Sequence, residues 1–246
     1  MAGKSDFLFG IRSVIEAIRS GKEIEKVLVK KGLQGELYEE LIDTMKEAKI
    51  AWQTVPVERI NRATRKNHQG VIAFVSAITY HDLENTLIGL FEEGKNPLVL
   101  VLDGITDIRN MGAIARSAEC AGVNAIVIPE KGGAPINADA VKTSAGALLN
   151  IPVSRVKNLY KSLEYLQNSG LKLVAATEKA SENYTKVDFS GPTAIVMGAE
   201  DKGVSSQILK ICDAAAKIPI VGTIGSLNVS VAAGILVYEA VRQRNE

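Results

Sequence analysis

Short, nearly continuous apolar runs recur through the second half of the chain and restrict its fold more than any other feature. Leu98-Val99-Leu100-Val101-Leu102 and Ala125-Ile126-Val127-Ile128 are rich in β-branched and aliphatic residues with no polar alternation. Such runs suit strands buried on both faces, as in a parallel sheet clothed by helices. Helical patterns fall between them. The order predicted is strand 98–102, helix 111–121, strand 124–128, helix 137–146, strand 151–155, helix 158–168 and strand 171–176. Strand 193–197, helix 204–210, strand 215–218 and helix 228–242 follow. This alternation predicts an α/β fold.

The first 78 residues carry a separate, smaller pattern. A helix over Ile11–Ile18, a strand over Lys26–Val29, a helix over Glu36–Ala48 and a strand over Ile50–Val55 are expected, then a helical turn over Val57–Asn61 and a strand over Gly70–Val75. That is enough for a compact α/β domain with its own sheet. Residues 79–95 read as a linker with a leading helix, Leu83–Phe91, ended by Gly94 and Pro97, and residues 96–246 as the second domain.

Length and a 46% apolar fraction allow a substantial buried core. The net charge of +1 gives no global attraction to nucleic acid, but it is unevenly spread. Residues 1–78 hold 13 Lys and Arg against 10 Asp and Glu, while the remainder holds 16 against 18. A polyanion would therefore meet the N-terminal domain first. Within it, Arg59, Arg62, Arg65 and Lys66 crowd a ten-residue stretch without an acidic residue, a pattern that fits either a solvated loop or a phosphate contact, and Arg12 is a candidate to join them.

Cys120 and Cys212 are the only cysteines, which excludes a disulfide framework and leaves no Cys/His cluster for a metal. Both are expected to be buried free thiols in a reducing cytosol. The segment Met1 to Asp6 has no long apolar stretch and no run reaches bilayer-spanning length, so the expectation is a cytoplasmic protein without a membrane partner.

Three polar loops follow apolar runs in the second domain. Asn110-Met111-Gly112 leads into a helix bearing Arg116; Ala194 to Met197 runs into Gly198-Ala199-Glu200-Asp201-Lys202-Gly203; Ala214 to Ile218 runs through Pro219 to Ser226-Leu227-Asn228. Open α/β sheets bind ligands beyond the carboxyl ends of their strands, so the three loops are expected to share one site. Each also has a plainer use. Gly198 to Gly203 could be a strand-to-helix turn; Asn110, and one of Ser226 and Asn228, could cap helices; Ile218 and Leu227 could be core. No Gly-x-Gly-x-x-Gly opens a helix after an early strand, which disfavours a dinucleotide site.

Taken together, the three loops resemble the motifs of the SpoU family of RNA ribose 2′-O-methyltransferases. Asn110, Gly112 and Arg116 match the first motif, Gly198, Glu200 and Gly203 the second, and Ser226, Leu227 and Asn228 the third, in the family's order. The resemblance implies an N-terminal RNA substrate-binding domain and a C-terminal α/β-knot (SPOUT) domain with a parallel sheet. The knot comes from the likeness alone, since threaded chains are rare. S-adenosylmethionine is the implied methyl donor, bounded by Thr177, Gly198, Gly203, Ile218 and Leu227, with no metal. The implied catalytic group is Asn110, Arg116, Glu200, Ser226 and Asn228.

The family places Arg116 at the ribose hydroxyl, sometimes as a general base. A guanidinium holds its proton to a pKa above about 12, so a clamp on the neighbouring phosphate is the more natural role, with deprotonation left open. Glu200 fits an orienting partner better than a base. The apolar helix 228–242 exceeds what one sheet can cover and implies burial in a homodimer. The expected reaction is methyl transfer to a ribose 2′-oxygen of a guanosine in 23S ribosomal RNA. A tRNA ribose methylase and a non-catalytic RNA-binding assembly factor are the alternatives.

Overall fold

The computed structural model describes residues 7–245, which divide between residues 79 and 80 into two compact units. The first unit is a four-stranded sheet with helices on both faces. It contains β1 (Phe7–Phe9), α1 (Ile11–Arg19), β2 (Ile24–Lys30), α2 (Glu36–Glu47), β3 (Trp52–Val55), α3 (Val57–Asn61) and β4 (Val71–Val75). The strand order is β1-β4-β2-β3, with β2 and β3 parallel and the other pairs antiparallel. Strand alternation separates two cores. Val27, Val29, Val71 and Ala73 pack with Val14, Ile15, Leu41 and Met45 of α1 and α2, while Leu28, Val55 and Ile72 pack with Ile60 of α3.

The second unit opens with α4 (Leu83–Glu92) and continues through β5 (Leu98–Asp103), α5 (Ile108–Cys120), β6 (Ala125–Pro129), α6 (Ala138–Thr143), β7 (Val153–Val156) and α7 (Leu159–Asn168). It then runs through β8 (Lys172–Ala176), β9 (Glu182–Asn183), β10 (Thr193–Gly198), α8 (Ser206–Leu209), β11 (Ala214–Lys217) and α9 (Val229–Arg244). Its seven strands are all parallel to their neighbours, in the order β7-β6-β5-β10-β8-β11-β9. The apolar runs are central strands: Leu98 to Leu102 is fully covered, with Val99 and Val101 facing a core that contains Leu83, Leu87, Leu163 and Ile208. Helices α5 and α9 pack on each other, and α9 also meets β10.

Several expectations change. Helix α5 starts at Ile108 rather than 111, and the helix expected over 137–146 stops at Thr143. Ala145 and Gly146 follow with φ of 52° and 90°, which breaks the helix before a short 3-10 turn at Ala147–Leu149. Strands β1 and β9, of three and two residues, were not expected. Cys120 is exposed, contrary to the expectation of two buried thiols, because it lies on the outer face of α5. Helix α9 does carry more apolar surface than the sheet covers: Val231 and Tyr238 are each 51% exposed in the single chain. Among the described residues, no helix is long and apolar enough to cross a membrane.

Candidate active site

Four neighbouring strands, β5, β10, β8 and β11, point their carboxyl ends to the same edge of the sheet. Asp103 and Gly198, the last residues of β5 and β10, are paired in register, so the chain leaves both strands at the same level. From β5 the sheet grows by β6 on one side and β10 on the other, the reversal at which such sheets open a crevice. Two adjoining cavities occupy that edge. The larger, about 330 Å³, is walled by residues after β8, β10 and β11. The smaller, about 220 Å³, is walled by the turn after β5 and the entry of α5. Ala199, Glu200, Asp201 and Val229 belong to both.

All five residues expected to hold a cofactor, Thr177, Gly198, Gly203, Ile218 and Leu227, line the larger cavity. Its loop closes tightly. A β-carbon on Gly198 would lie 2.0 Å from the Gly203 carbonyl carbon and the Val204 nitrogen, so no side chain fits there. Gly203 turns the chain back with φ of 66°, and its N–H donates to the Ala199 carbonyl at 2.8 Å. Beyond the turn, the Ser205 N–H donates to Asp103 Oδ2 at 2.9 Å, which fastens the loop to the end of β5.

Between the cavities, three side chains distant in sequence form a closed ring. Asn110 Nδ2 donates to Glu200 Oε1 at 2.9 Å, and Asn228 Nδ2 donates to the same oxygen and to Asn110 Oδ1, both at 3.0 Å. Because an ionised carboxylate only accepts, Glu200 dictates which end of each amide faces it. The backbone prepares both amides. Asp107 caps α5, its Oδ1 accepting from the N–H groups of Arg109 at 2.6 Å and Asn110 at 3.1 Å, so Asn110 is a first-turn residue and not the cap. Asn228 does cap α9, its Oδ1 accepting from the Ser230 N–H at 2.9 Å, and so serves both structure and site.

Two expected members stand apart from the ring. Ser226 lies on the wall of the larger cavity. Arg116 is exposed and lines neither cavity. Six residues along α5 turn it about 240° from Asn110, so one chain does not bring it against Glu200. Gly112, on the same helix, has a packing role: a β-carbon there would meet Thr143 Cβ at 2.6 Å and the Ala140 carbonyl oxygen at 2.9 Å, on α6. Asp103 and Asp107 were missed, although an acidic residue just before a helix is the ordinary capping signal.

In the first unit, Arg12, Arg59, Arg62, Arg65 and Lys66 are all exposed. Arg62 and Arg65 border a shallow depression with Glu58 and Asn61. The loop that carries Arg65 and Lys66 is tied to the start of α1, where the Ile11 N–H donates to Gln69 Oε1 at 3.2 Å. Among the described residues, no group of three or more His, Cys, Asp or Glu could hold a metal ion.

Residues 97–238 match the SpoU rRNA Methylase family, and residues 7–81 match the RNA 2′-O ribose methyltransferase substrate binding family. The putative TrmH family tRNA/rRNA methyltransferase YacO of Bacillus subtilis (strain 168) is 34% identical over 245 residues, spanning 100% of this chain and 98% of that protein. A putative TrmH family tRNA/rRNA methyltransferase of Staphylococcus saprophyticus is 35% identical, over 97% of this chain and 96% of that protein. The crystal structure of an AdoMet bound rRNA methyltransferase from Sinorhizobium meliloti superposes with a TM-score of 0.60 at 25% identity, over 96% of this chain and 86% of that one. The A. aeolicus TrmH/SpoU tRNA modifying enzyme gives 0.56 at 35% identity, over 66% of this chain and 84% of that one. With both units matched in order and relatives this similar along its length, the chain belongs to the SpoU/TrmH family of RNA methyltransferases.

Proposed function

We propose that this protein transfers the methyl group of S-adenosylmethionine to a ribose 2′-oxygen of a guanosine in 23S ribosomal RNA. The observation that carries the reading is the ring of Asn110, Glu200 and Asn228 at the junction of two cavities. The larger cavity suits the donor: Gly198 and Gly203 leave backbone exposed in a loop without side-chain bulk, and Ile218 and Leu227 wall an adenine from water. The smaller cavity suits the ribose. S-adenosylmethionine would supply an electrophilic methyl group carried on sulfonium. Glu200 holds both amides in one orientation, and Asn110 and Asn228 fix the ribose oxygen against the donor side. Ser226 contacts the donor end of the same path.

Arg116, exposed on α5 and outside both cavities of the single chain, is assigned to the phosphate beside the target ribose rather than to the oxygen held at the ring. Replacing it with alanine should lower turnover by at least about a hundredfold, by the usual effect of removing one positioned donor, with donor affinity within about twofold by calorimetry. Near-normal turnover would remove Arg116 from the mechanism. Arg12, Arg59, Arg62, Arg65 and Lys66 steer the RNA by its phosphates.

The 23S assignment rests on the presence of the substrate-binding unit at residues 7–81. The second reading, a tRNA target, draws on the tRNA modifying relative, which matches only 66% of this chain. Mapping 2′-O-methyl groups in RNA from cells lacking the protein decides between them. An unchanged map for both RNAs would favour a non-catalytic assembly factor. We further read the domain as a trefoil-knotted, cytoplasmic homodimer joined through α9, on the strength of the exposed Val231 and Tyr238 and of the convergence of residues after β11 on the cavity.

A further inference from the structure

The two faces of the N-terminal sheet are clothed unequally. Helices α1 and α2, of nine and twelve residues, cover one face, whereas α3, of five residues, is the helix on the other. Register places Phe7 beside Phe74, Phe9 beside Ile72, and Lys26 beside Phe74 on that second face. Helix α3 seats Ile60 against Leu28, Val55 and Ile72, and the three phenylalanines pack at the margin of this cluster, half-buried. The Phe7 ring centroid lies 6.4 Å from that of Phe9 and 6.3 Å from that of Phe74, with planes tilted by 47° and 59°. Lys26 Nζ stands 5.7 Å from the Phe74 centroid and Lys66 Nζ 6.0 Å from that of Phe9. The strand residues on this face include Lys26 and Lys30, with Glu25 next to Lys26 at the bulge of β2.

We propose that Phe7, Phe9 and Phe74 form a platform on which an unpaired segment of the RNA substrate stacks its bases, with Lys26 and Lys66 taking the adjoining phosphates. This deepens the reading of the chain as an RNA methyltransferase and rests on it. Half-buried aromatic rings interleaved with cations are what single-stranded RNA binds, since every base has a π face and every linkage a negative charge. The mutual tilt of the rings suits splayed nucleotides over a continuous helix. Each lysine already sits at a ring face, and its flexible stem lets it move aside to a phosphate as a base takes that face. An A-form duplex, with its bases stacked inward, has nothing to offer the platform.

The test uses the whole chain and fluorescence anisotropy with a labelled mixed-sequence decaribonucleotide, alone and annealed to its complement. Phe9→Leu with Phe74→Leu keeps the apolar volume and removes the π faces. It should weaken single-strand binding about tenfold or more, leaving duplex affinity and the salt slope unchanged. Lys26→Gln with Lys66→Gln should reduce the magnitude of the single-strand salt slope by about 1.4. Independently of folding cost, Phe74→Trp in a Trp52→Phe background puts a lone tryptophan on the platform, and saturating RNA should quench its emission at retained affinity. Unchanged binding by the leucine pair, or emission indifferent to RNA because another segment or a second copy covers the face, overturns the proposal. Methyl transfer to ribosomal RNA by the unaltered protein is scored separately. Its absence with stacking intact removes the catalytic reading alone, and its presence with stacking absent removes the platform alone.

Discussion

Gly112, inside α5, and Gly198, at the end of β10, both lack room for a methyl group. At Gly198 the obstacle is backbone, 2.0 Å away, so the turn that shapes the larger cavity depends on it. At Gly112 the obstacle is Thr143, and the cost falls on helix packing. Gly112→Ala should therefore lower stability by about 1–3 kcal/mol, as overpacked cores do, read as a drop in the thermal midpoint. The cysteines differ as sharply. Burial, reinforced by the Asp213 charge, pushes the Cys212 thiol up to about 12, so little reactive thiolate forms near neutrality, while Cys120 is exposed. Iodoacetamide should add one group to the native protein, at Cys120 by mass spectrometry, and a second only after unfolding. Sequence could not separate the two, because each is flanked by one apolar and one acidic residue and exposure depends on which side of the element faces out.

Elements were legible wherever the chain was long enough to show a period. The buried runs at 98–102 and 125–128 announced central parallel strands, whereas β1 and β9 are too short to display one and exist only because a neighbouring strand offers hydrogen bonds. The start of α5 was misplaced because the apolar pattern begins after the cap, while Asp107 fixes the boundary through hydrogen bonds that hydrophobicity does not record. In α9 the apolar excess was legible, and with it a surface that one sheet leaves uncovered, but which residues carry that surface was not. That helix also holds a charged cluster: Glu239, only 7% exposed, accepts from Arg242 Nε at 3.0 Å and from Gln243 Nε2 at 2.8 Å. These bonds, chiefly from Arg242, draw its carboxyl below the ordinary value of 4.5 against the opposing effect of burial. A depressed carboxyl stabilises the fold fully above 4.5 and progressively less as pH falls through its folded value. Glu239→Gln should cost about 1–2 kcal/mol at pH 7, with the gap closing below that range in urea melts.

Across the whole molecule, the parallel sheet carries loops from positions near 110, 200 and 228 to one edge, and that convergence was legible from three strand-then-loop signals. The ring's pairing was not, because which amide meets which oxygen depends on strand order, and β10 inserting beside β5 cannot be read from a linear pattern. Nor was the turning of Arg116 away from the ring. The surface of α9 bears on assembly at this scale. Val231→Asp with Tyr238→Asp should convert a dimer, twice the 26.3 kDa chain mass in sedimentation, to monomers. A monomeric parent protein would refute the assembly.

Helix α9 spans 16 residues, about 24 Å, from the amide of Asn228 to a distant anchorage. There Arg244 donates to the carbonyls of Phe189 at 2.9 Å, Asn96 at 2.8 Å, Pro97 at 3.2 Å and Gly191 at 2.6 Å. One rigid element thus ties Asn228 to contacts made about four turns away. On the proposed function, loosening that far end would pull Asn228 from its bonds to Asn110 and Glu200 with all three side chains still present, so a mutational screen scored by methylation alone would credit Arg244 with chemistry it does not perform.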